Sequence, residues 1–151
     1  MKLFAILGVL VLVPILSFGQ SGQKVVKDLF SKHLSTELKG YLVWLPMLSE
    51  DNASSADNQS SLISDHRILQ GWDEKREISG QFEKTLKLKK TAWDVYLIYA
   101  PGVVWEGDLP PAPTFWMHQL EKANGADPKL CLNPARLSHE LEKQLAKRHE
   151  G

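Results

Sequence analysis

From Leu3 to Phe18 the chain is almost wholly apolar, with Lys2 as the only charge before it. A short polar stretch, residues 20–23, separates this run from a patterned region. There Val25, Val26, Leu29, Phe30, Leu34 and Leu38 recur at the spacing of one helical face. Gly40 is placed as the left-handed stop of that helix. Tyr41–Leu45 is apolar on both alternating faces and ends at Pro46, which predicts a strand buried inside a sheet. Residues 49–61 are polar and small, and read as a loop or as the exposed turns of a helix ending near Leu62 and Ile63. A short strand is predicted over Arg67–Trp72. In the charged segment that follows, Ile78, Phe82 and Leu86 predict a surface helix after Ser79, while Thr85–Lys89 alternates like an edge strand.

Ala92–Ala100 carries the strongest strand pattern, aromatic and β-branched with a single acidic residue, Asp94. Residues 100–113 hold four prolines and two glycines, so they predict a long connection with a brief extended piece at Val103–Trp105. Thr114–Leu120 reads as another strand. Asn133 then caps a final helix with Pro134 in its first turn, lined by Leu137, Leu141 and Leu145 and ended by Lys147 and Arg148.

The N-terminal run has the layout of an export signal. Lys2 precedes a long apolar core, and the small residues Ser17 and Gly19 stand at −3 and −1 of a cleavage site before Gln20. The expectation is a signal peptide over 1–19, a single domain over 20–151, and a secreted or periplasmic location. The alternative is a retained anchor, although a sixteen-residue run interrupted by Pro14 falls short of the ~20 apolar residues a membrane span needs. A membrane enters the picture only in that case. Cleavage would leave 132 residues with 17 basic and 18 acidic side chains. That near-neutral balance argues against nucleic acid as a partner, since its phosphates reward a strongly basic face.

Cys131 is the only cysteine, so no internal disulfide forms, and its place between Leu130 and Leu132 reads as a small buried hydrophobe. The exposed, pairing thiol is the other reading.

The element order resembles that of the thioredoxin-like fold: α/β, a mixed central sheet flanked by helices, and a C-terminal helix. The strand carrying Trp44, then Pro46, then a polar stretch opening a helix, resembles the segment where thioredoxins place their redox motif. Counting from Trp44 sets that motif over Leu48–Asp51, where there is no cysteine. The family's cis-proline before the next-to-last strand is also absent from Lys90–Trp93. The resemblance therefore implies the fold without dithiol chemistry. The blocks WLPMLSED, GWD, AWDVYLIY and FWMHQL also resemble those of uncharacterised secreted bacterial proteins.

No complete catalytic constellation is visible. There is no G-x-S-x-G, and His139-Glu140 lacks the second histidine of a zincin helix because Lys143 stands there. His118, inside an apolar strand beside Trp116 and Met117, reads as a satisfied core histidine or as a ligand or acid–base group. Met47, Met117, His118 and Cys131 are the soft donors that suit copper. Glu50, Asp51 and Asp57 lack the order of a calcium loop. Four of the five tryptophans fall in predicted strands, and Trp105 falls in the proline-rich loop, where it reads either as a binding anchor on an exposed loop or as an aromatic packed over the sheet edge. Asn52 and Asn58 each begin a glycosylation sequon.

These readings give an exported, redox-inactive binding module with an unknown protein or small ligand, no cofactor and no assigned catalytic or metal residue. Its candidate binding residues are Trp105, Trp116, His118 and Asp51. The alternative is a small extracytoplasmic enzyme or copper-type protein using His118 with carboxylate or sulfur groups.

Overall fold

The computed structural model describes residues 8–15 and 21–149. Its strands are β1 (Gly8–Pro14), β2 (Lys39–Leu45), β3 (Ile68–Trp72), β4 (Val95–Tyr99) and β5 (Phe115–His118). The helices are α1 (Gly22–Lys32), α2 (Ala53–Ser60), α3 (Glu77–Thr85) and α4 (Pro134–His149), with two short 3₁₀ turns between β5 and α4. The strands form one open sheet in the order β3-β2-β1-β4-β5. β3, β2 and β1 run parallel, and β4 is antiparallel to both β1 and β5. The chain is thus α/β with a mixed sheet and a C-terminal helix.

β1 lies at the middle. Every residue of Gly8–Pro14 is buried, and the strand pairs along its whole length with β2, from Gly8 opposite Lys39 to Pro14 opposite Leu45. Its other edge pairs with β4, from Gly8 opposite Tyr99 to Leu12 opposite Val95. Strands covered on both faces are apolar at every position, and a continuous apolar run is also what an export signal looks like. The structure gives this run a place its composition alone does not suggest. The proposed cleavage residues 17–20 lie outside the described residues.

Side chains alternate across the sheet. Val9, Val11 and Val13 join Leu42, Trp44, Tyr96, Ile98 and Met117 beneath α1, α2 and α4. Leu10 and Leu12 join Leu45, Val95, Leu97 and Tyr99 on the opposite face, beneath Phe82 of α3 and Trp105. The first helix is shorter than its apolar spacing predicts. It ends at Lys32, Leu34 is 77% exposed, and Gly40 lies within β2 rather than at a helix stop. Gly40 serves close packing: a Cβ there would lie 2.7 Å from Phe30 Cζ. The polar stretch resolves as α2, opened by an Asn52–Ser55 capping box. Thr85–Lys89 forms no strand, nor does Val103–Trp105.

Arg67 ends α1. Its guanidinium donates to the carbonyls of Phe30, His33 and Ser35 at 2.8, 2.6 and 3.0 Å, lies over the Phe30 ring, and pairs with Asp65 at 2.6 Å. One cation thereby satisfies the free carbonyls at the helix end. The Arg67 hydrogen bonds in turn hold the Asp65 carboxyl down at about 2. A carboxylate depressed in the fold stabilises above its unfolded value near 3.8, and that contribution disappears as pH falls towards 2.

Two outcomes are expected. Arg67→Ala should lower stability by about 1–3 kcal/mol, the cost of leaving buried carbonyl acceptors without a partner, as measured by urea unfolding. In a variant beginning at Gln20, loss of β1 should abolish the cooperative thermal transition followed by circular dichroism. A melt matching the full chain would show that the sheet closes without that strand.

Candidate functional site at the β1–β4 boundary

In an open α/β sheet, ligands favour the carboxyl ends of the parallel strands at the point where connections diverge. Here that point lies between β1 and β4. The chain leaves β1 through α1 on one face, and it reaches β4 from α3 on the other. Asp94 stands at that boundary, immediately before β4, with a left-handed backbone (φ 53°) and 1% exposure. Aspartate is among the few non-glycine residues that tolerate this region.

The Asp94 carboxyl is held on one side only. Oδ1 accepts from Tyr96 Oη at 2.8 Å and from Gln119 Nε2 at 3.0 Å. Oδ2 is buried and has no partner. The Asp94 carbonyl also accepts from Gln119 N at 3.0 Å, which carries the β4–β5 pairing one step beyond the strands. Burial pushes the Asp94 carboxyl up, against the opposing effect of the Tyr96 and Gln119 hydrogen bonds. Burial first, and then the Asp94 charge, push the Tyr96 phenol well up as well. The group sits close under the start of α1, where a Cβ on Gly22 would lie 3.2 Å from Tyr96 Oη and 2.3 Å from Val13 Cγ1. The arrangement is a buried polar knot between helix and sheet in which burial holds the carboxyl above its ordinary range.

The residues singled out from sequence fall elsewhere. His118 is 2% exposed. Its Nε2 lies 2.8 Å from the Asp127 carbonyl, which only accepts, and its Nδ1 accepts from Leu120 N at 3.1 Å. Both ring nitrogens are therefore engaged by backbone. Trp116 is half-buried and tilted against the His118 ring, with centroids 5.6 Å apart. Asp51 is remote from this pair in its contacts: Oδ2 accepts from Met47 N and Leu48 N, both at 2.8 Å, and closes the turn after β2. Trp105 does not stand clear of the sheet. It is 8% exposed, meets Phe82 edge-on at 6.0 Å, and donates to the Gly107 carbonyl at 2.7 Å.

Its loop is fastened at both sides by Tyr99 Oη to the Pro111 carbonyl and Thr85 Oγ1 to the Pro110 carbonyl, each at 2.8 Å. Of the two readings of Trp105, packing over the sheet is the one found: the indole covers the apolar face above β4. Cys131 departs from expectation in the other direction. It is exposed, because it follows a 3₁₀ turn and touches β5 only through a backbone bridge to His118. Among the described residues no group of three or more His, Cys, Asp or Glu is placed to hold a metal.

No protein-family model, no curated protein and no solved structure matches this chain.

The Asp94 site carries its own test. A carboxyl raised in the fold makes the native state bind more protons than the unfolded chain. Stability then falls as pH rises above 3.8 towards the folded value. Asp94→Asn retains an acceptor for Tyr96 and Gln119 and removes the titration. Its melting temperature at pH 7 should equal or exceed the parent's, with the gain shrinking as pH is lowered to 4. A lower value at pH 7 would show that the charged carboxylate is required.

Proposed function

We propose that this chain is a redox-inactive, thioredoxin-like binding module rather than a catalyst. The observation that carries the reading is the engagement of His118 at both ring nitrogens by backbone groups. A histidine so held offers no lone pair for a metal and no free base, so the acid–base and copper readings lose their central residue. Asp51 is likewise spent on closing a turn.

The thioredoxin-like assignment is supported by the β2-β1-β4-β5 arrangement, with parallel and antiparallel neighbours on either side of β1 and a C-terminal helix behind it. In that arrangement the middle strand is β1, not the Trp44 strand. The helix start that corresponds to the redox segment is then Ser21–Gly22 rather than Leu48–Asp51. Neither position holds cysteine.

A place outside the cytoplasm remains part of the proposal, supported by the composition of the N-terminal run. Export and this sheet are compatible in one molecule only if residues 8–14 stay attached, since they form β1. Among the described residues no helix is long and apolar enough to cross a membrane.

Insulin reduction tests the redox-inactive reading. The expected rate in the presence of dithiothreitol is the uncatalysed one, and the same for Cys131→Ser. Turnover that survives Cys131→Ser would overturn the proposal.

A further inference from the structure

The two edges of the sheet are finished differently. At β5 the outer edge is closed within the chain: the His118 carbonyl accepts from Leu132 N at 2.7 Å, and Cys131 bridges to His118. At the other end β3 has β2 on one side and, among the described residues, no strand on the other. Charged side chains and proline are among the devices that keep an edge strand from pairing. Ile68–Trp72, with the sequence ILQGW, has neither.

The main-chain groups of β3 alternate in direction. Gly40 N donates to the Arg67 carbonyl at 2.9 Å, and Asp73 N donates to the Trp44 carbonyl at 3.0 Å. Residues of that parity, Leu69 and Gly71 among them, therefore turn their N–H and C=O groups towards β2. Those of Gln70 turn outward, together with the Trp72 N–H and the Ile68 carbonyl. The Ile68 N–H is taken by the Asp65 carbonyl at 3.0 Å. The Gln70 side chain is engaged by Trp44 Nε1 and the Ser60 carbonyl, which leaves its main chain for the open side.

Side chains add a shape. Leu69 lies opposite Tyr41 and Gly71 opposite Val43, so both belong to the sheet face that carries Leu10 and Leu12. Leu69 is 64% exposed, and a Cβ on Gly71 would meet no atom within 4 Å beyond its chain neighbours. One edge thus carries an apolar knob and, two residues further on, an empty place on the same face.

We propose that β3 pairs antiparallel with β3 of a second copy of this chain, about a two-fold axis at Gln70, so that one sheet runs through both copies. About that axis Gln70 meets Gln70 of the second copy as a hydrogen-bonded pair, and each Trp72 N–H reaches the other copy's Ile68 carbonyl. Leu69 then stands opposite Gly71 of the second copy in the closer, non-hydrogen-bonded pairing and fills the place that glycine leaves. A two-fold interface uses the same patch on each copy, so knob and place are matched twice. That self-complementarity selects a second copy over an unrelated strand. The inference goes beyond the binding-module reading and does not depend on it.

Sedimentation equilibrium of the full chain over a range of concentrations tests it. An edge of five residues buries less than the ~1,600 Å² of standard interfaces, so a reversible dimer with a dissociation constant of about micromolar or weaker is expected. Leu69→Lys places a charge on each side of the axis and should weaken the dimer by roughly tenfold or more, with no change in the melt of the dilute chain. Gly71→Val suits a strand and meets open space in its own copy, but it occupies the place of the other copy's Leu69. It should weaken the dimer by a similar factor while leaving the dilute melt unchanged or raised.

Crosslinking in a Cys131→Ser background reads the register. Leu69→Cys and Gly71→Cys chains, mixed and oxidised, should form a disulfide-linked pair, since directly opposite residues lie about 4.5–5.5 Å apart. Neither should link to itself, because diagonal neighbours lie about 7–8 Å apart. A chain that is monomeric at every concentration, unchanged dimerisation in Leu69→Lys, absence of the mixed link, or self-linking of Leu69→Cys as readily as the mixed link would overturn the proposal.

Discussion

Two backbone ladders meet on Gly8–Pro14, and the sheet exists because they do. A strand with a parallel neighbour on one edge and an antiparallel neighbour on the other cannot be removed without separating β3-β2 from β4-β5. Burial on both faces explains its composition, since any charged side chain would have to lose its water on one face or the other. Val13 shows how closely its neighbours approach: the first turn of α1 lies so near it that Gly22 has no room for a side chain.

Around that strand, polar groups do the work of fastening. Arg67 joins the end of α1 to the start of β3, and His33 Nε2 meets Ser138 Oγ at 2.8 Å to tie α1 to α4. Burial lowers the His33 imidazole, so the neutral ring is favoured there. Asp73 accepts from Glu77 N and Ser79 N and anchors the start of α3. With a single cysteine, the chain relies on such contacts and not on an internal disulfide.

Much of this was legible in the pattern of residues. Short runs apolar on both faces, aromatic and β-branched, located β2 and β4, and the Asn133-Pro134 start of α4 is confirmed by Asn133 Oδ1 accepting from Arg136 N. The central strand was not legible as a strand, because an apolar run preceded by one lysine has two physical uses and local pattern cannot separate them. The Asp94 knot escaped for a related reason. Its one trace is an acidic residue in an otherwise apolar strand, while its partners Tyr96 and Gln119 meet it only after β4 and β5 pair. Trp105 was open between two readings because proline and glycine mark a loop without saying whether that loop folds back over the sheet. Cys131 misled because flanking leucines say nothing about a turn that points the thiol outward.

The order of the sheet also sets a schedule. β1 is made first, yet the strand that closes its second edge, Val95–Tyr99, comes more than eighty residues later. Pairing across such a separation is slow, and apolar segments left waiting are open to other contacts. During synthesis the run Gly8–Pro14 is therefore available to any receptor for nascent apolar segments until β4 emerges. Until β4 can pair with it, this strand has one edge without its partner, and those seven apolar residues have only the β2 ladder to hold them.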